Sequence, residues 1–151
     1  MEKLIQYSKI AFASEFSFYL KAHNFHWNVE GPDFKQYHDL FGGIYEEVFD
    51  SIDGFAERIR SIGSYVPGSF DRFSMLTKVE DETEILSKDQ MVAELIKDNE
   101  KMLKIFKMCF DVSEAAGEHG FSDFFAGRMD AHRKHGWMLR ASMKKDQAGA
   151  L

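Results

Sequence analysis

Residues 23–38 have the sequence "HNFHWNVEGPDFKQYH", and they separate two long helical patterns. Gly31 and Pro32 stop a helix, because glycine takes the left-handed position after a helix and proline cannot continue one. Asp33 then begins a second helix, and Gln36 follows it at the spacing of a capping box. The same stretch holds three of the six histidines of the chain. The turn between the two helices is therefore also a candidate site.

On either side of this turn, apolar residues recur at helical spacing. They predict four long helices, at about 2–29, 33–62, 87–117 and 121–144. Gly63 ends the second helix, and a capping box of Ser87 and Gln90 begins the third. The long connection between these two carries one short helix that begins at Ser69. Two hairpins joined by one long connection predict an all-α fold, a ferritin-like four-helix bundle with a crossover. The methionine and phenylalanine stripes are expected to form its core.

Length and composition limit the class of protein. The chain has 151 residues, of which 44% are apolar and 15% aromatic, enough for a single domain over 1–151 with a proper core. The net charge of −6 disfavours nucleic acid on average and suits cations. The single cysteine excludes an internal disulfide, and neither a membrane span nor a signal peptide is evident. These features predict a cytoplasmic protein, with a frayed tail from Lys144 onward.

The second predicted helix is rich in acids. Asp50, Asp53 and Glu57 share one face of it, and His38 lies near its start. Imidazole and carboxylate together suit iron, manganese or zinc. The alternative is an acidic face that is simply solvated, as most charge runs are.

A di-iron site of the usual ferritin type inside the bundle is not expected. Such a site needs a Glu-x-x-His motif on each of two helices, and the chain has none. His132 and His135 lie three residues apart, but Met129 stands where the glutamate would be required. We therefore expect both histidines at the surface or at an interface, and His119 in a solvated turn.

Three stretches resemble one known family. The segments "HNFHWNVEGPDFKQYHDLF" and "SIDGFAERI" are similar to the signature of the Dps family, the miniferritins called DNA-binding proteins from starved cells. The segment "KHGWMLRASM" resembles the last helix of that family, and the similarity spans nearly the whole chain. The resemblance implies a hollow homododecamer that oxidises Fe(II), preferably with hydrogen peroxide, and stores the Fe(III) mineral. Such a protein protects the cell against oxidative stress.

The resemblance also implies roles for individual residues. The matched positions are the ferroxidase histidines His26 and His38, the ferroxidase carboxylates Asp53 and Glu57, and the tryptophan beside the iron, Trp27. For Trp27, both radical quenching and simple packing remain open. His23 matches no family role, and we expect it either to support a ligand or to lie at the surface.

The chain departs from the family in the turn after His38. Many relatives carry acids there, whereas this chain has Gly42 and Gly43. Each glycine within a helix costs about 1 kcal/mol relative to alanine, so the pair needs a reason, such as the close approach of another backbone. A second iron position is in doubt. The remaining candidates are Asp39, Glu46 and Asp50 for mineral nucleation, and Asp123, with Glu114 and Glu118 as weaker matches, for an iron entry pore.

Direct DNA binding is expected to be weak or absent. Relatives that bind DNA often carry a Lys-rich N-terminal arm, because phosphate contacts need flexible cations. Here the first helix starts almost at once, with Lys3 and Lys9 its only early cations, and Lys144 and Lys145 offer a small basic C-terminus. The alternative function is a DNA-compacting or purely structural shell whose metal site is vestigial.

The spacing on the second helix predicts a site shared between two chains. His38 and Asp53 are fifteen residues apart, which is roughly 22 Å along a continuous helix. Bonds from first-row metals to their ligands are only about 2 Å long, so one ion cannot touch both side chains of one helix. An antiparallel partner related by a two-fold axis would bring His38 of one chain beside Asp53 of the other.

Overall fold

The structure is a computed structural model that describes residues 1–145 and 148–151. Within these ranges the chain forms helices only: α1 (Glu2–Asn28), α2 (Phe34–Ser61), α3 (Phe70–Leu76), α4 (Lys88–Ala115) and α5 (His119–Met143). α1 packs against α2, α4 packs against α5, and α1 also contacts α4 and the short α3. The predicted four-helix bundle with a long crossover is confirmed. None of the described helices combines the length and apolar character needed to cross a membrane.

Most of the predicted helix ends are confirmed by their hydrogen bonds. The Ser87 hydroxyl accepts from the Gln90 N–H at 3.2 Å, and the Gln90 side chain accepts from the Ser87 N–H at 2.9 Å, a complete capping box. The Ser69 hydroxyl caps α3 by accepting from the Arg72 N–H. Gly63 follows α2 with a φ of +90°, as a left-handed terminating residue should.

The turn between α1 and α2 differs from the prediction. Asp33 has a φ of 64° and its side chain caps nothing, so the predicted capping box at Asp33 and Gln36 is wrong. A capping side chain reaches the first-turn N–H groups from an extended backbone. The left-handed backbone instead places an Asp33 carboxylate oxygen 4.0 Å from Lys88 Nζ. Gly31, with a φ of +102°, lies within the turn because α1 already ends at Asn28.

Phenylalanine rings fill the core, as the apolar stripes predicted. Phe55 on α2 is fully buried and packs edge-on against Phe12 and Phe125, with ring centroids 5.4 and 5.6 Å apart. The prediction fails on α5 for Met138, which is exposed, and the neighbouring Trp137 is exposed as well. Charged and polar side chains take part of the buried face of that helix in their place. The expected frayed tail falls partly on 146–147, outside the described residues, and α5 ends at Met143.

Candidate metal centre

The turn after α1 brings His26 and His38 together. Their rings are nearly parallel, 3.7 Å apart between centroids. The Nδ1 atom of each ring bonds to the backbone carbonyl oxygen of the other residue, at 2.7 Å in both cases. A carbonyl oxygen only accepts, so each Nδ1 carries a proton and donates it. In the neutral rings each Nε2 keeps a free lone pair, which suits the pair for binding a metal. His26 and His38 are called the surface histidine pair below.

Gly42 accommodates one of these rings. A Cβ atom at residue 42 would lie 3.1 Å from Nδ1 of His26 and 3.2 Å from its Cε1. The close approach that the sequence suggested is therefore made by a histidine ring. Among residues 1–145 and 148–151, a Cβ atom at Gly43 would meet nothing within 4 Å, and no contact there explains that glycine.

Asp53 and Glu57, the acid pair, lie exposed near the other end of α2. A hydrogen bond with Asp53 and its negative charge raise the pKa of Glu57. Two carboxyl groups this close compete for one proton, and a bound cation would relieve their repulsion. Because α2 is unbroken, the acid pair and His38 remain far apart in one chain. Within the residues described for that chain, no three acids, histidines or cysteines converge as a metal site.

Aromatic side chains pack next to the surface histidine pair. The half-buried His23 ring lies between the rings of Tyr45 and Trp27, each centroid 3.7 Å away. It shares a hydrogen bond of 3.0 Å with the Tyr19 hydroxyl. Burial, and then the neighbouring His26, lower the pKa of His23. Trp27 is 59% exposed, so packing against His23 covers only part of its surface.

The candidates for mineral nucleation remain on exposed surface. Asp39, Glu46 and Asp50 are all exposed residues of α2. Asp39 forms an ion pair with Lys35 at 2.9 Å, and that hydrogen bond lowers the pKa of Asp39. Glu46 and Asp50 are the acids on this face that lie nearest to the acid pair in sequence.

The pore candidates gather around the start of α5. Asp123 is exposed in the first turns of this helix, and Glu118 directly precedes it. The Glu114 carboxylate accepts a hydrogen bond from the Ser122 hydroxyl and lies 3.1 Å from Nδ1 of His119. These contacts lower the pKa of Glu114. His119 is exposed to solvent as predicted, but it begins α5 instead of lying in the turn.

A second group of histidines and acids lies within the bundle, and no motif in the sequence indicates it. The predicted surface or interface position of His132 and His135 is wrong, because both are buried. They line one face of α5 with the buried Arg128, facing Glu15 on α1 and Glu47 on α2. We call these five residues the interior cluster. Its acids lie 81 or more positions from their α5 partners, so no local spacing pattern reveals the contacts.

Every charge in the interior cluster meets an opposite or hydrogen-bonding partner. Arg128 bonds to Glu15 at 3.1 Å and to Glu47 at 2.6 Å. His132 Nε2 lies 2.8 Å from Glu15, and His135 Nε2 lies 2.7 Å from Glu47. Burial acts to raise the pKa of both carboxyl groups. The neighbouring cations and hydrogen bonds outweigh it, lowering the pKa of Glu15 and bringing that of Glu47 to about 2.

Comparison with known proteins places this bundle in a family. The ferritin-like domain model matches residues 10–148. DNA protection during starvation protein 2 of Bacillus anthracis is 32% identical over 127 residues, covering 84% of this chain and 87% of that protein. An uncharacterized low temperature-induced protein of Nostoc is 33% identical over 131 residues, covering 85% and 73%. The X-ray structure of Dps from Thermosynechococcus elongatus superposes with a TM-score of 0.93 at 26% identity, over 96% and 92% of the two chains. The chain belongs to the Dps family of ferritin-like miniferritins.

Proposed function

We propose that this protein oxidises Fe(II), with hydrogen peroxide as the preferred oxidant, and stores the Fe(III) mineral inside a hollow homododecamer. The observation that supports this most directly is the surface histidine pair. Two adjacent imidazoles have their Nδ1 atoms held by backbone carbonyls and their Nε2 atoms free of any carboxylate among the described residues of their own chain. Iron is the substrate and the stored cargo. Within the cell, we place the protein in the cytoplasm, where it limits oxidative stress.

The ferroxidase site is proposed to lie between two chains. The surface histidine pair of one chain supplies nitrogen ligands, and the acid pair of a two-fold partner supplies carboxylate oxygens. An isologous dimer creates two such sites at once. Trp27, exposed beside the histidines, would lie near this contact. Residues 1–151 would act as one Dps-type domain that contributes half of each site.

The residues of this chain supply binding and charge stabilisation. Imidazole nitrogens hold Fe(II), and the hard carboxylate oxygens favour the more highly charged Fe(III) product. Two Fe(II) ions each lose one electron, and one hydrogen peroxide takes up both electrons with two protons to give two waters. Glu46 and Asp50 are proposed to nucleate mineral and Asp123 to line the entry pore. Asp39 is a weaker nucleation group because Lys35 already neutralises it.

Mixing two inactive variants tests the shared site. One carries His26→Ala with His38→Ala, and the other carries Asp53→Ala with Glu57→Ala. After dissociation and joint reassembly, half of the dimers are mixed and each regains one of its two sites, so about a quarter of the wild-type rate per chain should return. Peroxide-driven Fe(II) oxidation, followed by absorbance, measures that return. If verified mixed dimers stay as inactive as the parents, the shared-site proposal is wrong.

The second candidate is a DNA-compacting or structural shell with a vestigial metal site. The observation that favours it is similarity to the Bacillus anthracis relative, which is named a DNA protection protein. Anaerobic Fe(II) loading followed by peroxide, read by absorbance and particle mass, separates the two. We expect weak or no duplex DNA binding at physiological salt because the chain carries a net charge of −6. A salt-sensitive gel shift at sub-micromolar protein would favour the second candidate instead.

A further inference from the structure

We infer that Arg128 keeps transition metals out of the bundle interior, and that the other four residues of the interior cluster form a metal-binding set around it. Ferritin-like di-iron sites are built from carboxylates and histidines that project inward from the bundle helices. Glu15, Glu47, His132 and His135 do the same here, from α1, α2 and α5. In this chain a guanidinium lies among them, so the set does not fit a metal as it stands.

Within each histidine–glutamate pair of the interior cluster the donor atoms lie close together, and the guanidinium separates the two pairs. The guanidinium bonds to Glu15 on one side and to Glu47 on the other, at 2.6 to 3.2 Å. Each imidazole Nε2 lies 2.7 to 2.9 Å from one of these carboxylates. Metal–ligand bonds of about 2 Å place neighbouring donor atoms roughly 3 Å apart. Modest side-chain movement would therefore let the four groups converge on one ion, once the guanidinium is gone.

One residue of the set, His132, is already oriented by a hydrogen bond to its other ring nitrogen, as metal-binding histidines usually are. His132 Nδ1 lies 2.7 Å from Asn99 Oδ1, and the Asn99 amide nitrogen donates to the His132 backbone carbonyl at 2.8 Å. Gly136 makes this contact possible, because a Cβ atom there would lie 2.8 Å from that nitrogen. Because the Asn99 amide nitrogen donates to the His132 carbonyl, the Asn99 side-chain oxygen faces His132 Nδ1. An amide oxygen only accepts, so Nδ1 donates in this contact. Nε2 faces the Glu15 carboxylate and must donate as well.

Charge balance explains why these four residues bind no metal while Arg128 is present. Arg128 is the cation that bonds to both carboxylates, and His132 is hydrogen-bonded through both ring nitrogens. The guanidinium thus supplies positive charge between the two carboxylates without metal. Removing the Arg128 side chain would leave one carboxylate without a full counter-charge, which is strongly unfavourable in a protein interior. It would also open space between the ligands, so a divalent cation would supply the missing charge. Arg128 therefore confines iron to the surface histidine pair and the acid pair.

Cobalt(II) binding tests this inference in the whole chain. The background carries His26→Ala and His38→Ala, so the surface histidine pair cannot bind cobalt. The result therefore does not depend on whether the proposed ferroxidase function is correct. Arg128→Ala in that background should gain about one Co(II) ion per chain, with the visible absorption of cobalt bound by nitrogen and oxygen. Arg128→Lys, which retains a cation, should gain none. Adding Glu15→Gln to Arg128→Ala should abolish the gain.

Two outcomes with folded protein would overturn the inference. One is a folded, assembled Arg128→Ala variant that binds no more cobalt than its background. The other is a background protein that already binds cobalt between His132 and His135 with Arg128 intact. If Arg128→Ala folds only when cobalt is present, the inference holds, because a metal that binds the folded state stabilises it. If it fails to fold even with cobalt while Arg128→Lys folds, Arg128 serves the fold alone and the inference is wrong.

Discussion

The surface histidine pair and the interior cluster use the same residue types in opposite ways. At the surface, backbone carbonyls occupy Nδ1 of His26 and His38, and each Nε2 remains available. In the interior, carboxylates of the same chain occupy Nε2 of His132 and His135. In the first arrangement the Nε2 atoms can bind a metal ion from outside the chain. In the second they are already hydrogen-bonded to carboxylates of the same chain. Which ring nitrogen is already bonded therefore separates a candidate binding site from an internal ion network.

The two regions should also differ in what they contribute to the protein. The interior cluster joins α5 to α1 and α2 through charges that are buried except at the half-buried Glu47, so its loss should act mainly on stability. The surface histidine pair lies half-buried at a helix junction, so its loss should act mainly on iron oxidation. Four substitution experiments test this contrast, and all compare variants at one protein concentration because assembly affects apparent stability.

Removing the Glu15 carboxylate should have the largest effect. Glu15→Ala leaves Arg128 and His132 buried without their shared anion, and the free energy of unfolding should fall by about 3–5 kcal/mol. Urea unfolding followed by circular dichroism measures it. Asp111→Ala is the matched control, since Asp111 pairs with Lys107 on exposed surface and should change stability by less than about 1 kcal/mol. Equal effects of the two substitutions would mean that the interior cluster contributes no special stability.

Removing one surface histidine should affect iron oxidation strongly and stability little. His38→Ala should slow the initial Fe(II) oxidation by at least about tenfold, because it removes a proposed ligand and the partner that orients His26. The free energy of unfolding should change by no more than about 1 kcal/mol. Stopped-flow absorbance gives the rate, and His119→Ala, at an exposed histidine elsewhere, should leave it unchanged. An unaltered rate in His38→Ala would remove this residue from the site.

Acid should weaken the interior cluster through Glu47. The pKa of Glu47 lies at about 2 in the folded protein, below its ordinary 4.5. A depressed carboxyl pKa stabilises the folded state above the ordinary value, and that stability is lost as pH falls toward the folded pKa. The stability advantage of wild type over Glu47→Gln should therefore shrink between about pH 5 and pH 3. Urea unfolding at both pH values tests it, and an advantage that is the same at both would contradict the assignment.

Substitutions at the adjacent glycines should have the smallest effects, and the two positions should respond differently. Gly42→Ala should lower the oxidation rate a few-fold, because the new Cβ would press on the His26 ring. Gly43→Ala should leave the rate unchanged and raise stability by up to about 1 kcal/mol, since alanine favours the helix and nothing lies within 4 Å. Rates and urea midpoints of both variants distinguish the positions. Equal rates would mean that the His26 ring does not depend on the space at Gly42.

The long helices were predictable because their signals are local. Apolar periodicity, the Ser87 capping box and the left-handed Gly63 each act within a few residues. The start of α2 was predicted to within one residue, but its capping box was mispredicted, for a local reason as well. The sequence at Asp33 permits a cap, but the tight turn after Pro32 puts its backbone in the left-handed region and turns the side chain away.

The candidate site was predictable in part. The family resemblance grouped His26 with His38, and the structure places their ring centroids 3.7 Å apart. The separation of His38 from the acid pair followed from helix rise alone, and α2 is indeed continuous. The reason for Gly42 was not predictable, because a contact with the His26 ring depends on how two helices pack.

Local sequence was thus sufficient for the helices, their order and the histidines of the turn, because helical periodicity, turn chemistry and residue spacing act over short distances. Tertiary packing was required to bury His132 and His135, and to leave Trp137 exposed on the same helix. An ionisable side chain can be buried only where an opposite charge or a hydrogen-bonding partner meets it. For α5 those partners are Glu15 and Glu47, more than eighty residues away in the chain. Their approach depends on the packing of three helices, and no pattern within a single helix encodes it.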